Sequence, residues 1–300
     1  MIAALLTSFF FALSAIFGRR SAVYLGSQRA NLSRQVIALV CLGLWAHTLG
    51  QGLNLSVFGI LFLSGVIGFG FGDWALFEAY PRIGAALTIL LTQCLAAPIA
   101  AITEWVWLGT GMSLIQMACS AMILVGVALA MAPEHGSDIP AGHRVAGTIF
   151  GVVAAAGQAW GAVISRYAFQ RADVMGFHLD GITAAYQRLW GGAVSICVLL
   201  LIRHLTRQWH SPGEVAPRPD WRRGWPWTLG NALAGATIGV SCYLWALKST
   251  PSAIVLPIVA TTPLVVMAIA FFFEGIRPGL RAMAGAILAV SGVVLLVLNR

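Results

Sequence analysis

Hydrophobic residues in this chain gather into long runs that are separated by short polar stretches. A helix of about 20 apolar residues is long enough to cross the hydrocarbon core of a bilayer, and these runs lack the alternation of a barrel strand. The pattern therefore predicts an all-α integral membrane protein with ten transmembrane helices. The predicted spans are 2–17, 36–53, 57–80, 85–107, 112–132, 145–164, 182–202, 225–247, 253–273 and 280–298.

Composition excludes a soluble domain, because 59% of the 300 residues are hydrophobic, only 9% are charged and the mean hydropathy is +0.86. The net charge of +8 comes from basic residues in the short connections, which favours lipid headgroups over nucleic acid as the partner. All basic residues except Lys248 are Arg, which is typical of a GC-rich prokaryotic genome. We therefore expect a multi-pass protein of a prokaryotic plasma or inner membrane.

The five cysteines all fall inside apolar runs and form no CxxC pair, so we expect neither a disulfide nor a metal site. They are Cys41, Cys94, Cys119, Cys197 and Cys242. The run GFGFG at residues 68–72 has no preceding strand, so close helix packing explains it better than nucleotide binding. We predict no cofactor.

An internal repeat divides the chain near its middle. Sliding the sequence by about 170 residues superposes a shared order of span, Pro turn, span, Glu, short turn and span. The predicted units are 1–132 and 145–300, each with five spans, and 133–144 is the predicted linker. Because five is odd, the second unit enters the membrane from the opposite side, which predicts an inverted repeat with a substrate site between the halves.

The matched positions carry a resemblance to a known family. They are Pro81, Glu104, Gly109 and Gly126-Val127 in the first half, and Pro251, Glu274, Gly279 and Gly292-Val293 in the second. This pattern resembles the EamA-type branch of the drug/metabolite transporter superfamily. The resemblance implies two five-helix repeats, a central cavity lined from both, and export or exchange of small metabolites such as amino acids.

Polar residues near the middle of predicted spans are the candidate substrate-binding residues, because a polar group in hydrocarbon usually faces a cavity or a partner. They are Asp73, Thr92, Gln93, Gln158, Trp160, Arg188, Tyr243 and Thr262. Asp73 is the best candidate for the mechanism, and its position in the repeat corresponds to Tyr243. Structural roles stay open for each: a hydrogen-bonded acid for Asp73, snorkelling or an acid partner for Arg188, and core packing for the aromatic residues.

The leading hypothesis is a secondary transporter, exporter or exchanger, that moves a small polar or amphipathic metabolite by alternating access. A membrane enzyme acting on lipid is the first alternative, although the six histidines are scattered. A channel or scaffold subunit is the second. The chain has no nucleotide-binding motif, so uphill transport would use an ion gradient, with a proton as one option. Monomer and homodimer both stay open.

Orientation is undecided between two indications. Most basic residues lie in the connections on the side opposite the two termini, and the excess of Lys and Arg on cytoplasmic loops favours both termini outside. The family resemblance favours the reverse. We expect the basic connections, including Arg19, Arg20 and residues 203–224, to face the cytoplasm.

Overall fold

The computed structural model of the chain describes residues 1–131, 141–206, 219–274 and 279–299. These residues form α-helices joined by short connections, with a π-helical segment inside two of the passes. The helices are α1 (Ile2–Leu25), α2 (Ser27–Thr48), α3 (Leu55–Gly65), α4 (Asp73–Leu108), α5 (Leu114–Met131), α6 (Ala141–Val174), α7 (Gly181–Thr206), α8 (Trp221–Asn231), α9 (Val240–Ser249), α10 (Ser252–Val259), α11 (Thr262–Glu274) and α12 (Leu280–Leu298).

Ten helical passes result from these twelve helices. The π segment Val66–Gly72 joins α3 to the first part of α4, and the segment Ala232–Gly239 joins α8 to α9. Gly84 breaks α4 with φ 76°, so the fourth pass begins after it. The short helices α10 and α11 share the ninth pass. The predicted all-α fold with ten transmembrane helices is confirmed, and seven described helices are long and apolar enough to cross a membrane by length and composition.

Helix α2 begins earlier than the predicted second span, at Ser27 instead of residue 36. Its first turns are polar, yet Gln28, Asn31, Arg34 and Gln35 are all buried. These side chains face the protein interior and not lipid, which is why a hydropathy pattern assigned the segment to a connection. Helix α6 also begins early, at Ala141, so the last four residues of the predicted linker are helical. Its other residues, 133–140, lie outside the described ones.

Contacts between the halves follow a two-fold pattern. Helix α1 of the first half packs on α8 and on the π segment Ala232–Gly239 of the second half. Equivalently, α6 of the second half packs on α3 and on the π segment Val66–Gly72 of the first half. The second passes of the halves, α2 and α7, pack on each other, as do the fifth passes, α5 and α12. This is the pairing that an inverted repeat produces, because equivalent helices exchange roles across its axis.

Glycines bring α5 and α12 into close contact at two equivalent places. A Cβ on Gly126 would lie 2.5 Å from the Ala289 amide nitrogen, and one on Gly292 would lie 3.1 Å from the Cys119 carbonyl oxygen. Gly126 and Gly292 are the matched glycines of the repeat. Small residues allow such backbone approach in membranes, where apolar burial contributes little to helix association.

The two π segments occupy equivalent places, because each follows an 11-residue helix, α3 or α8. In a π-helix the backbone bonds run from i to i+5, so the helix widens and its side chains change register. Both segments border the interior between the halves. We therefore call the region that they enclose, together with α2 and α7, the central site.

Candidate functional site

A partly open cavity occupies the central site. Residues from both halves line it: Phe11, Ser14, Ala15, Arg34, Gly68, Phe69, Asp73, Leu76, Tyr80, Ile89, Thr92 and Gln93 from the first, and Gln158, Arg188, Gly235, Val240, Tyr243 and Thr262 from the second. The walls are mixed, with aromatic rings beside charged and amide groups. Such a lining suits a small amphipathic molecule.

Asp73 lines the cavity and forms an ion pair with Arg34 of α2. Both side chains are mostly buried, with 6% of Arg34 and 15% of Asp73 exposed. Arg34 Nε donates to Asn31 Oδ1 at 3.2 Å, and its guanidinium carbon lies 5.0 Å from the centre of the Phe77 ring. The carboxylate and guanidinium compensate each other, which an isolated charge at this depth could not do.

Arg188 reaches the same cavity from α7, with only 3% of its surface exposed. Its guanidinium carbon lies 4.7 Å from the centre of the Phe69 ring, as in a cation–π contact. Two glycines make the space for it, since a Cβ on Gly161 would lie 2.7 Å from Arg188 Nη2 and one on Gly68 would overlap the same atom. In the described part of the chain Arg188 has no ion-pair partner, and its Nε has no hydrogen-bond partner.

Neutral polar groups complete the site. Gln158 Nε2 of α6 donates to Gln93 Oε1 of α4 at 2.5 Å, a bond that joins the two halves. Thr262 Oγ1 donates to the Val259 carbonyl oxygen at 2.6 Å, which satisfies the hydroxyl within the ninth pass. The hydroxyls of Thr92 and Tyr243 are buried and lack a partner among the described residues. These two groups are free to bind a ligand.

Seven of the eight predicted site residues therefore line one cavity, and whether they bind substrate stays a prediction. The eighth, Trp160, does not line this cavity, and its side chain is 48% exposed. Arg34 is the residue that the sequence reasoning missed. The spacing of Gln28, Asn31 and Gln35 at i, i+3 and i+7 could have indicated a buried polar helix face there.

A second buried charge network lies at the end of the bundle where α4 finishes, which we call the Glu104 end. Glu104 is fully buried and pairs with Arg166 of α6 at 2.7 Å. Its other oxygen accepts from the Ser252 hydroxyl and, at 3.1 Å, from the Ala253 amide. Glu104 thus ties α4, α6 and α10 together. We refer to the opposite end of the bundle, at the break in α4, as the Gly84 end.

The side chains at this site provide charged and hydrogen-bonding groups. Among the residues that the structure describes, no group of three or more His, Cys, Asp or Glu side chains could hold a metal ion. All five cysteines are free. The site can bind, orient and neutralise a small molecule.

Comparisons with known proteins agree with this architecture. The model of the EamA-like transporter family matches residues 1–132 and 145–298. A search of curated proteins gave no match. Among 28 matching chains of solved structures, one crystal structure has a TM-score of 0.69 at 14% sequence identity and covers 99% of both chains, which indicates a shared fold. The family match spans nearly the whole chain in two repeats, and the protein therefore belongs to the EamA-like transporter family, a family of membrane transporters in the drug/metabolite transporter superfamily.

Proposed function

We propose that the protein is a secondary transporter that exports or exchanges a small polar or amphipathic metabolite, such as an amino acid, across a prokaryotic plasma membrane. The central observation is a mixed polar and aromatic cavity between two pseudo-symmetric halves. Inverted repeats support alternating access, because exchanging the conformations of the halves moves the opening from one side to the other.

The position of the cavity within the bundle supports an alternating mechanism. Its α4 lining residues, such as Tyr80 and Ile89, lie on both sides of the break at Gly84, whereas no residue of α4 beyond Gln93 lines it. On its α4 side the lining thus runs from mid-depth towards the Gly84 end, and Arg188 and Tyr243 line the cavity from the second half. At the other end, the Glu104 network and the fully buried helix α10 close the bundle. We interpret this as a state with access from the Gly84 end.

Asp73 is our candidate for ion coupling. The chain has no nucleotide-binding motif, so an ion gradient would supply the free energy for uphill transport. A carboxylate within a transporter can relay protons, and its pairing with Arg34 gives it two arrangements, paired and released. Uptake or release of a proton at Asp73 would bias the pair between them.

Transport into proteoliposomes tests this proposal. Purified protein is reconstituted, and uptake of a panel of labelled amino acids and organic acids is measured with and without an imposed proton gradient. We expect at least one substrate to accumulate against its gradient only when the proton gradient is present. Asp73→Asn should abolish accumulation while counterflow exchange of the same substrate continues. If correctly folded protein shows counterflow of none of the compounds in the panel, the proposal is rejected.

A further inference from the structure

Arg34 and Arg188 occupy the same position in the two halves. Each lies seven residues after the first residue of the second helix of its half, Ser27 in α2 and Gly181 in α7. Burial follows the same register around them: Ala30 and Leu42 are buried in α2, as are Ala184 and Ile196 at the equivalent positions of α7. The two arginines are therefore pseudo-symmetric, and both line the cavity.

Their partners differ, and this breaks the symmetry of charge. Asp73 and Tyr243 each lie eight residues before the matched prolines Pro81 and Pro251. Arg34 pairs with the carboxylate of Asp73, whereas Arg188 lines the cavity together with Tyr243, a neutral group. The cavity lining thus contains two guanidinium groups and one carboxylate, and that carboxylate pairs with Arg34. The charged side chains that line the cavity leave one positive charge uncompensated.

An uncompensated guanidinium is costly at this depth. Removing the partner of a buried charge is strongly destabilising in measured cases, and an arginine in the membrane interior usually has a partner or contacts water. No acidic side chain of the described residues lies within 4.0 Å of Arg188. The described residues therefore leave Arg188 without a neutralising carboxylate.

We propose that Arg188 is the binding site for a carboxylate group of the transported molecule, an inference that rests on the proposed function. A carboxylate matches the planar fork of a guanidinium and accepts two parallel hydrogen bonds from it. One carboxylate also neutralises the single excess charge. A dianionic phosphate would leave the cavity negative, and a cation would compete with Arg34 for Asp73.

The surroundings of Arg188 define the rest of the ligand. The Phe69 ring covers the guanidinium, and Phe11 contributes a second apolar wall. The unpartnered hydroxyls of Tyr243 and Thr92 and the Gln93–Gln158 amides provide neutral hydrogen-bonding groups. The site therefore suits an amphipathic monocarboxylate whose body is neutral and partly apolar.

A binding assay with matched probes tests the charge preference. Benzoate, phenylacetate and hexanoate supply a carboxylate, benzamide and benzylamine supply a neutral and a cationic counterpart, and phenylalanine supplies a carboxylate with an amine. Binding to the detergent-solubilised protein is followed by the shift of its thermal midpoint. We expect at least one carboxylate to bind and Arg188→Gln to weaken it by about thirtyfold or more, as for loss of one partner of a buried charge pair.

The control variants distinguish a charge effect from a folding defect. Arg188→Lys keeps the charge and should retain part of the binding, and Trp160→Phe alters an exposed residue on the same helix as Gln158 and should leave binding unchanged. Binding of phenylalanine that also depends on Arg188 would identify a zwitterion as the carboxylate source. Failure of all the carboxylates to bind, or equal binding to Arg188→Gln, would overturn the inference.

A second experiment needs no ligand. Tyr243→Asp places a carboxylate where the first half has Asp73, so it should pair with Arg188, raise the thermal midpoint relative to Tyr243→Asn, and block carboxylate binding. In an Arg188→Gln background Tyr243→Asp should give no such rise. A rise that persists without Arg188 contradicts the inference. Neither experiment measures transport, so the two proposals can fail separately. If carboxylates bind but the counterflow assay shows no transport, the proposed function alone is rejected. If non-carboxylates show counterflow that Arg188→Gln does not affect, this inference alone is rejected.

Discussion

Buried charges in this protein join helices that are distant in the sequence. The Arg34–Asp73 pair joins α2 to α4, and the Glu104–Arg166 pair joins α4 to α6. A buried ion pair adds little net stability over an apolar pair of the same shape, but removing one partner leaves the other charge in a medium that solvates it poorly. Single and double substitutions should therefore have very different effects.

Asp73→Asn should destabilise the protein by about 3–5 kcal/mol, because Arg34 is then left without its carboxylate. The double variant Arg34→Gln with Asp73→Asn should recover most of that loss, since both charges are removed together. Thermal or denaturant unfolding in detergent would measure Asp73→Asn, Arg34→Gln, the double variant and the wild type. Additive losses in the double variant would mean that the two residues contribute independently, contrary to the ion pair.

The helix pairs α5–α12 and α2–α7 cross the pseudo-two-fold axis, and their packing differs in kind. Glycine backbones meet in the first pair, whereas α2 and α7 bring polar side chains into the central site. Where a glycine leaves no space for a Cβ, substitution must displace a neighbouring backbone and not merely a flexible side chain. Overpacking of this kind costs about 1–3 kcal/mol.

Gly126→Ala should lower the stability by about 1–3 kcal/mol, because its Cβ would lie 2.5 Å from the Ala289 amide nitrogen of α12. Gly59→Ala is the matched control, since this glycine of α3 has no atom within 4 Å of the added Cβ. Unfolding midpoints of both variants in detergent give the comparison. Equal stability of the two variants would show that α5 and α12 separate at little cost.

Sequence reasoning succeeded where lipid requires a helix to be apolar. It failed where the answer depends on the direction in which a side chain faces. Apolar runs identified the ten passes because a helix that contacts lipid must be apolar over its length, and Asp73 was placed at a cavity because a lone intramembrane acid needs surroundings that accept it. Hydropathy does not show whether a polar side chain faces the protein interior or water. The polar start of α2 was therefore assigned to a connection, and Arg34 was missed. The exposure of Trp160 on α6 was missed for the same reason.

The π segments and the Glu104 network needed the structure. The run GFGFG indicated close packing, which Gly72 confirms against Gly157, but no local pattern indicates an i to i+5 hydrogen-bond register. Glu104 lies near the end of the predicted span 85–107, and no local pattern predicts its burial. Its burial depends on Arg166 and Ser252, which are distant in the sequence and could not be paired with it beforehand.

At the scale of the whole molecule, the two ends of the bundle differ in closure. The Glu104 end is held by one buried ion pair and by the buried turn before α10, where Thr250 is 1% exposed. On its α4 side the cavity lining runs from Gln93 towards the Gly84 end. In alternating access, opening of the Glu104 end would require this network to separate.

Glu104→Gln should therefore shift the population towards an open Glu104 end. The reporter is Thr250→Cys in a cysteine-free background, in detergent-solubilised protein. We expect it to react with a polar maleimide about tenfold faster or more when Glu104→Gln is added, because loss of the buried carboxylate destabilises the closed state by a few kcal/mol. Glu78→Gln is the control at the opposite end, where Glu78 pairs with Arg82, and it should not accelerate the reaction. Equal rates in all three backgrounds would assign Glu104 a role unrelated to closure.

Orientation is the last whole-molecule property that the charge distribution predicts. The helix ends and connections at the Gly84 end carry most of the basic residues, including Arg19, Arg20 and Arg29, whereas both termini lie at the Glu104 end. Because Lys and Arg in short connections are retained on the cytoplasmic side, we expect the Gly84 end to face the cytoplasm.

Two exposed positions report the orientation without altering any Lys or Arg. Ser113 lies at the Glu104 end and His143 at the Gly84 end, and both are exposed. In a cysteine-free background in intact cells, a membrane-impermeant maleimide should label Ser113→Cys and leave His143→Cys unlabelled until the cells are permeabilised. The reverse pattern would place the basic connections outside, and the proposed opening of the cavity would then face away from the cytoplasm. It would show that family-wide topology overrides the positive-inside bias in this chain. Labelling of both in intact cells would indicate dual insertion, which an inverted repeat with weakly opposed charge signals permits.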